Sequence, residues 1–312
     1  MLFRSVGVSA VVGNFDDAQT GVKRIFSDPA LRAELAERGY FLSSANSINW
    51  GRVLPQIVYY VSAYVQLAAD GKLRLGDRLN VCVPTGNFGN ILAGYYAKRM
   101  GVPIGRLICA SNSNNVLTDF IRTGVYDRNR PFYNTVSPSM DILISSNLER
   151  LLYMLCGSDE EVRGYMKSLS ETGRYEVSDH IREAVRETFR CGFCADDRTE
   201  NTIGKLFAQS GYLIDTHTAV AYTVLMDTRA ATGDDTPSLV VSTASPFKFC
   251  SSVLTALGVK EQRAGTDVLA QLSEKAGVPA PRPLASLAGK SVRFRGSVEK
   301  DDMAAVVRDM LR

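Results

Sequence analysis

The sequence predicts an α/β protein built on an open parallel sheet flanked by helices. Two observations carry this reading. The segments Leu79-Asn80-Val81-Cys82-Val83-Pro84 and Arg106-Leu107-Ile108-Cys109-Ala110 are short apolar runs separated by helical patterns. Strands covered on both faces read as nearly continuous apolar runs, as in parallel sheets packed between helices. The composition agrees: 312 residues, 45% hydrophobic and 22% charged, describe an ordinary globular chain of one large domain or two.

The same arithmetic excludes several classes. Thirty-six Lys+Arg against thirty-three Asp+Glu leave a net charge of +3, too little for a nucleic-acid footprint. The apolar content excludes disorder, and 25 Gly with 11 Pro exclude a collagen-like chain. The longest uncharged stretch, Val53 to Ala69, contains Pro55, Gln56, Ser62 and Gln66. It is shorter than a membrane span needs and is expected to be a buried helix. At the N-terminus Arg4 interrupts the apolar stretch, and Asp16-Asp17 stand where a signal peptide would be cleaved. Six cysteines in a chain this long do not make a disulfide framework. Cys191-Gly-Phe-Cys194 has no second C-x-x-C and no suitably spaced His180 or His217, so a structural role is expected and no metal. Reduced thiols and a cytoplasmic location are the matching expectations.

Taken in order, Val6 to Val12 reads as a strand entering the turn signal Gly13-Asn14. Asp16 or Asp17 can cap a helix over Ala18 to Phe26, and Pro29 suits the first turn of another ending near Gly39. A parallel sheet rarely starts so abruptly, so this region is expected to be cut from a larger domain, with an exposed strand edge. A polar loop, Ser43 to Arg52, leads into the apolar helix from about Val53. After the strand 79–84 comes Thr85-Gly86-Asn87-Phe88-Gly89-Asn90, then a helix from Ile91 to Met100 stopped by Gly101 and Pro103. The strand 106–110 follows. The stretch from about 147 to 207 reads as mostly helical, Ser238 to Ala244 as a late strand, Ser291 to Phe294 as a short strand, and Asp301 to Arg312 as a closing helix.

Five segments can carry chemistry. In Pro84-Thr85-Gly86-Asn87-Phe88-Gly89-Asn90, Gly86 and Gly89 are expected to take positive φ and let the backbone approach an anion. Amides and the following helix N-terminus would then face that anion. An ordinary strand-to-helix turn is the competing reading, since neither a Walker nor a G-x-G-x-x-G pattern is present. Ser242-Thr243 ends a strand, where ligands of open α/β sheets sit, but such hydroxyls also cap turns. Asn46, Ser47, Asn49 and Arg52 could hold a phosphate or carboxylate, or simply cap a helix. Ser111-Asn112-Ser113-Asn114-Asn115 suits ligand contact or a tight turn. His217, in Asp215-Thr216-His217-Thr218-Ala219, reads better as a satisfied helix-start residue than as an acid or base.

Together these segments resemble threonine synthase. The resemblance rests on GNFDDAQTGVK at 13–23, SSANSINWGRVLPQIVYY at 43–60, VPTGNFGNILAGYYAKRMGVPI at 83–104, NTVSPSMDILISSNLERLL at 134–152, GYLIDTHTAVAY at 211–222 and STASPFKF at 242–249. They occur in the family's order over nearly the whole chain. The resemblance implies the pyridoxal 5′-phosphate (PLP) dependent fold type II, like the tryptophan synthase β subunit, with its N-terminal part missing. It implies a remnant of the small domain over 1–42 and a large PLP-binding domain over 43–312 with a helical insertion at about 147–207. It further implies that Gly86, Asn87, Phe88, Gly89 and Asn90 wrap the PLP phosphate and that Thr243 meets the pyridine nitrogen. The family reaction converts O-phospho-L-homoserine and water to L-threonine and phosphate, the last step of threonine biosynthesis.

The sequence departs from the family in lacking a Ser-Gly-x-Thr-Gly loop upstream of GNFDD, in carrying Ser245 where many members have His, and above all in its lysines. The Schiff-base lysine of the family lies in a Phe-Lys-Asp type motif upstream of GNFDD, and none of the ten lysines here has that context. The isolated chain is therefore expected to be inactive. A separate N-terminal fragment is a candidate partner, and a non-catalytic homologue or half of a split enzyme is the alternative. Threonine dehydratase and cysteine synthase fit less well, because their phosphate loops are generally richer in glycine.

Overall fold

The computed structural model describes residues 7–13 and 15–311; of Phe15, Asp16 and Gln19 only the backbone is described. In chain order the elements begin with β1 (Ala10–Val12), α1 (Phe15–Ser27), α2 (Pro29–Glu37), α3 (Trp50–Val53) and α4 (Ile57–Ala69). Then come β2 (Leu79–Pro84), α5 (Gly89–Arg99), β3 (Ile104–Ser111), α6 (Val116–Thr123), β4 (Val125–Asp127), α7 (Leu148–Cys156) and α8 (Asp159–Thr172). The middle continues with β5 (Arg174–Glu176), α9 (Asp179–Thr188), β6 (Phe189–Phe193), α10 (Asp196–Ser210) and α11 (Thr216–Thr232). The chain closes with β7 (Ser238–Val240), α12 (Cys250–Ala256), α13 (Asp267–Ala276), α14 (Arg282–Ala285), β8 (Ser297–Glu299) and α15 (Met303–Met310).

The chain divides into two compact units. The larger, Ala45–Ala285, is built on a four-stranded sheet in the order β6-β3-β2-β7, with every pair parallel. All six residues of β2 are buried, as a strand covered on both faces requires. Alternation sorts them: Val81 and Val83, with Leu107 and Cys109 of β3, join the core under α4, α5 and α6. Cys82, Ile108 and Ala110 face α11, where they meet Val220, Ala221 and Val224. A third cluster ties Ile203 of α10 to Val253 and Leu254 of α12 and Leu272 of α13.

The smaller unit joins the described residues up to Ser44 with those from Ser286 onward. Leu31 and Leu35 of α2 and Ile25 of α1 pack with Met303, Ala304 and Val307 of α15. Asp28 caps α2 by accepting from the amides of Ala30 and Leu31, with Pro29 in the first turn. β1 pairs in parallel with β8, Ala10 opposite Ser297 and Val12 opposite Glu299.

Several sequence readings change. The closing segment was expected in the large domain 43–312, yet its strand pairs with β1 and so covers an edge expected to be bare. That strand lies at Ser297–Glu299 rather than 291–294. The stretch 147–207 is more than a helical insertion, because it supplies β6, whose Cys109↔Cys191 register makes it a strand of the central sheet. Helix α4 is only half-buried. Ile57, Tyr60 and Tyr64 pack inward, while Val58, Val61 and Val65, each one residue further on, are exposed along the helix flank. No helix among the described residues is long and apolar enough to cross a membrane. The expected strand start at Val6, the Asn14 turn position, a cap from the Asp16 side chain and the helix end at Arg312 lie outside what is described.

Candidate active site

The C-terminal ends of β2 and β7 lie side by side, with Val240 opposite Cys82 and the Val241 amide donating to the Cys82 carbonyl at 2.9 Å. From β2 the chain turns through Thr85–Phe88 into α5. The turn is pinned from below. Ser145 donates its hydroxyl to the Gly86 carbonyl (2.8 Å), and Asn147 donates its backbone and side-chain N–H groups to the Asn87 carbonyl (3.1 and 2.8 Å). The Tyr60 hydroxyl donates to the Asn90 carbonyl at 2.8 Å. The carbonyls are thus occupied, whereas the amides of Gly86, Asn87, Phe88, Gly89 and Asn90 have no acceptor among the described residues. A row of free amides at the positive end of a helix is an anion cradle in its donor chemistry.

The conformation of this turn differs from the sequence reading. Gly86 and Gly89 do not take positive φ. Among the described residues the single non-glycine with positive φ is Phe88, at +62°. A bulky residue in the left-handed region is strained by about 1–3 kcal/mol and needs surrounding structure to hold it there. Here the ring is 1% exposed and packs 5.7 Å from the ring of Phe189. The two glycines serve closeness instead. A Cβ on Gly86 would lie 2.9 Å from the Ser139 carbonyl oxygen, and one on Gly89 would lie 2.6 Å from Cβ and Oγ of Ser47.

Each expected site residue can now be placed. Ser47 abuts the start of α5 and accepts from the Asn147 side-chain amide at 3.0 Å. Asn46 accepts from the Ile48 amide, and Asn49 caps α3 by accepting from the Gly51 amide, both at 2.9 Å. Arg52 is exposed on α3. Thr243 is exposed just beyond β7, on the same end of the sheet as the 86–90 turn. The run 111–115 works mainly inside the protein. The Asn112 and Asn114 side-chain amides both donate to Asp141, and Ser111 accepts from the Thr118 hydroxyl. His217 is buried, and both ring nitrogens are engaged. Nε2 accepts from the Ser139 amide at 3.2 Å, which places the proton on Nδ1, facing Asp215 at 3.1 Å. The Cys191 and Cys194 thiols are pushed up by burial, and Cys194 shares a hydrogen bond with Thr199.

Sequence reasoning used the segment 137–147 for the resemblance alone and did not foresee that it builds the wall of the turn. Its signal was the polar Ser145-Ser146-Asn147 placed directly after the apolar Ile142-Leu143-Ile144. It also missed Asp215 as the anchor of that wall. Burial raises the Asp215 carboxyl, but hydrogen bonds from His217 and Thr218 outweigh this and hold it below the ordinary carboxylate value. A depressed folded pKa adds stability that is present above the unfolded value of about 3.9 and is lost as pH falls through the folded value. Replacing Asp215 by asparagine should therefore flatten the loss of stability on acidification below about pH 4, read as urea midpoints. An unchanged acid slope would remove Asp215 from this role.

Comparison with known proteins adds the family. The family described as "Threonine synthase, C-terminal" matches residues 218–306. Human "Threonine synthase-like 1" is 44% identical over 260 residues, covering 82% of this chain and 34% of the relative. Threonine synthase of Saccharomyces cerevisiae is 37% identical over 268 residues, covering 81% of this chain and 51% of the relative. The PLP-bound threonine synthase structure from Brucella melitensis superposes with a TM-score of 0.77 at 37% identity, over 98% of this chain and 60% of that one. The yeast enzyme structure gives the same TM-score at 31% identity, over 97% and 59%. The chain therefore spans from about one third to about three fifths of the length of these relatives. With the parallel sheet, the turn into α5 and these likenesses together, the chain belongs to the threonine synthase family and has its PLP-enzyme fold type II architecture.

Proposed function

We propose that this chain holds pyridoxal 5′-phosphate noncovalently and is the cofactor-binding part of a threonine synthase acting on O-phospho-L-homoserine. The observation that supports this most is the unmatched amides of 86–90 above carbonyls already occupied by Ser145 and Asn147. Bound, the cofactor would supply an electron sink for carbanion chemistry at the substrate's α-carbon. The chain's own contribution is placement. The five amides and the N-terminus of α5 would hold the phosphate. The Thr243 hydroxyl would meet the pyridine nitrogen, and as a neutral group it would leave that nitrogen less protonated than a carboxylate would. Asn46, Ser47, Asn49 and Arg52 are proposed to face the substrate. Ser47 is the best placed, because it touches the start of α5.

The family's cofactor lysine has no counterpart among the ten lysines of this sequence. The chain alone thus lacks both the covalent attachment and the proton-transfer group, and we propose that turnover requires a separate N-terminal segment. That same absence favours a second reading, a non-catalytic binding module. The test is titration of the full chain with PLP, followed by gel filtration and borohydride treatment. The expected results are co-migration without covalent fixation, and negligible O-phosphohomoserine turnover. Thr243→Val should bind PLP about fivefold more weakly, the value of one hydrogen bond of about 1 kcal/mol. Covalent fixation or turnover would overturn the noncovalent reading, and failure to bind PLP would overturn the assignment of the cradle.

A further inference from the structure

The cofactor end is not the only built end of this sheet. At the N-terminal edge, Arg78 precedes β2, Arg106 lies on β3 and Arg190 on β6, while Lys98 and Arg229 come from the last turns of α5 and α11. A recess of 580 Å³ opens over the start of β2 and β3, lined by Arg78, Asn80, Lys98, Arg106 and Glu187. A smaller cavity of 210 Å³, between α11 and the strands, is lined by Arg106, Arg190, Arg229 and Asp234. Asn80, Arg106 and Asp234 belong to both.

Charge at this edge is unbalanced. Five cations meet two carboxylates, Glu187 and Asp234. Asp234 is already committed, since it accepts from the Asn80 side chain at 2.9 Å and the Thr236 amide at 3.0 Å. The Lys98 ammonium donates to the Ile104 and Gly105 carbonyls, and Arg190 to the Arg186 carbonyl at 2.7 Å. The Arg78 and Arg106 guanidinia have no hydrogen-bond or ion-pair partner among the described residues. Burial, then Arg190 and Arg78, lower Arg106 from its ordinary value, and the opposing pull of Asp234 and Glu187 does not offset them. Meanwhile the whole chain carries only +3, so this excess is local rather than a general basic character.

We propose that this edge of the sheet binds a small, multiply charged oxyanion of the phosphate class, held by Arg78 and Arg106 and flanked by Arg190. Guanidinium forks match oxyanions two bonds at a time, and the recess has the volume of a small-molecule site, roughly 300–1,000 Å³. A recessed site, not an extended basic face, selects a compact ligand over a nucleic acid or an acidic chain. The site is separate from the 86–90 turn, which lies at the other end of six-residue β2, about 20 Å away at about 3.3 Å per residue. It does not depend on what that turn binds.

The test is calorimetric titration of the full chain with inorganic phosphate at low ionic strength. The expected result is saturable binding that weakens at least tenfold in the double variant Arg78→Gln/Arg106→Gln and steeply with added salt. Lys167→Gln, exposed on α8 and absent from the lining of both cavities, should leave it unchanged. Arg78→Gln alone, at an exposed position, should weaken binding severalfold and serves if the double variant does not fold. Equal binding by wild type and Arg variants would overturn the proposal. So would binding lost equally in Lys167→Gln, binding of an acidic peptide without phosphate, or no saturable phosphate binding at all.

Discussion

Replacing Asp141 by alanine is expected to destabilise the large unit by about 3–5 kcal/mol. The residue lies at the end of the 3-10 turn Pro138–Met140 and is buried. Its carboxylate accepts from the side-chain amides of Asn112 (2.7 Å) and Asn114 (3.1 Å), and from the hydroxyl (2.7 Å) and amide (2.9 Å) of Thr135. Alanine would leave four donors without this acceptor. A buried donor left unpaired costs about 1–3 kcal/mol, and some of these would find partial substitutes, so the sum falls short of four full penalties. The Asn112 amide, for example, also reaches Thr135 Oγ1 and Ser137. The effect should extend to function, because Ser139 and Met140 lie against Gly86 and form the wall of the proposed cradle. Asp141→Asn keeps the volume and one acceptor oxygen and should cost less, about 2 kcal/mol. Urea unfolding of the three proteins checks both values, and a loss below 1 kcal/mol in Asp141→Ala would show that the network is dispensable.

Such a hub is hard to see in a sequence. Asp141 stands among apolar neighbours, and its partners lie 6 to 29 residues away in the chain. The run Ser111–Asn115 was visible as polar residues at a strand end, but the partners that turn it inward were not. By contrast β2 and β3 were legible, because both are nearly continuous apolar runs and both are buried on two faces. β6 was not legible. Phe-Arg-Cys-Gly-Phe contains a glycine and an arginine, and as an edge strand of its sheet it pairs with β3 alone among the described strands. The helix starts at Pro29 and near His217 were legible, but the side chains that cap them, Asp28 and Asp215, were not. The exposed face of α4 escaped because valines and leucines read as buried regardless of which side they occupy. Within the candidate site, the turn at 85–90 was legible as a glycine-flanked strand-to-helix connection. Its conformation was not, because the strained residue is Phe88 and its strain is offset by burial of the ring against Phe189, a contact about one hundred residues away in the chain.

That reversal makes the two glycines the sharpest test of how the cradle is built. Neither has positive φ, so alanine is conformationally allowed at both. At Gly89, the first residue of α5, alanine should even gain up to about 1 kcal/mol of helix propensity. Contact decides the sign. At Gly86 the added methyl meets backbone, 2.9 Å from the Ser139 oxygen and 3.1 Å from the Met140 Cα. That segment cannot yield freely, because the Ser139 amide is held by His217 and Asp141 anchors the far side. Gly86→Ala should therefore cost about 1–3 kcal/mol by overpacking and reduce PLP affinity at least tenfold. At Gly89 the obstacle is one side chain, with Ser47 Cβ and Oγ both at 2.6 Å. Gly89→Ala should also destabilise, but adding Ser47→Gly removes both clashing atoms and should restore most of the lost stability. No second-site change of a side chain should rescue Gly86→Ala in the same way. The comparison needs only thermal or urea midpoints and PLP titrations of four proteins. If Ser47→Gly fails to rescue Gly89→Ala, or if Gly86→Ala is neutral, closeness is not the reason for these glycines, and the turn is held in shape by the buried Phe88 ring alone.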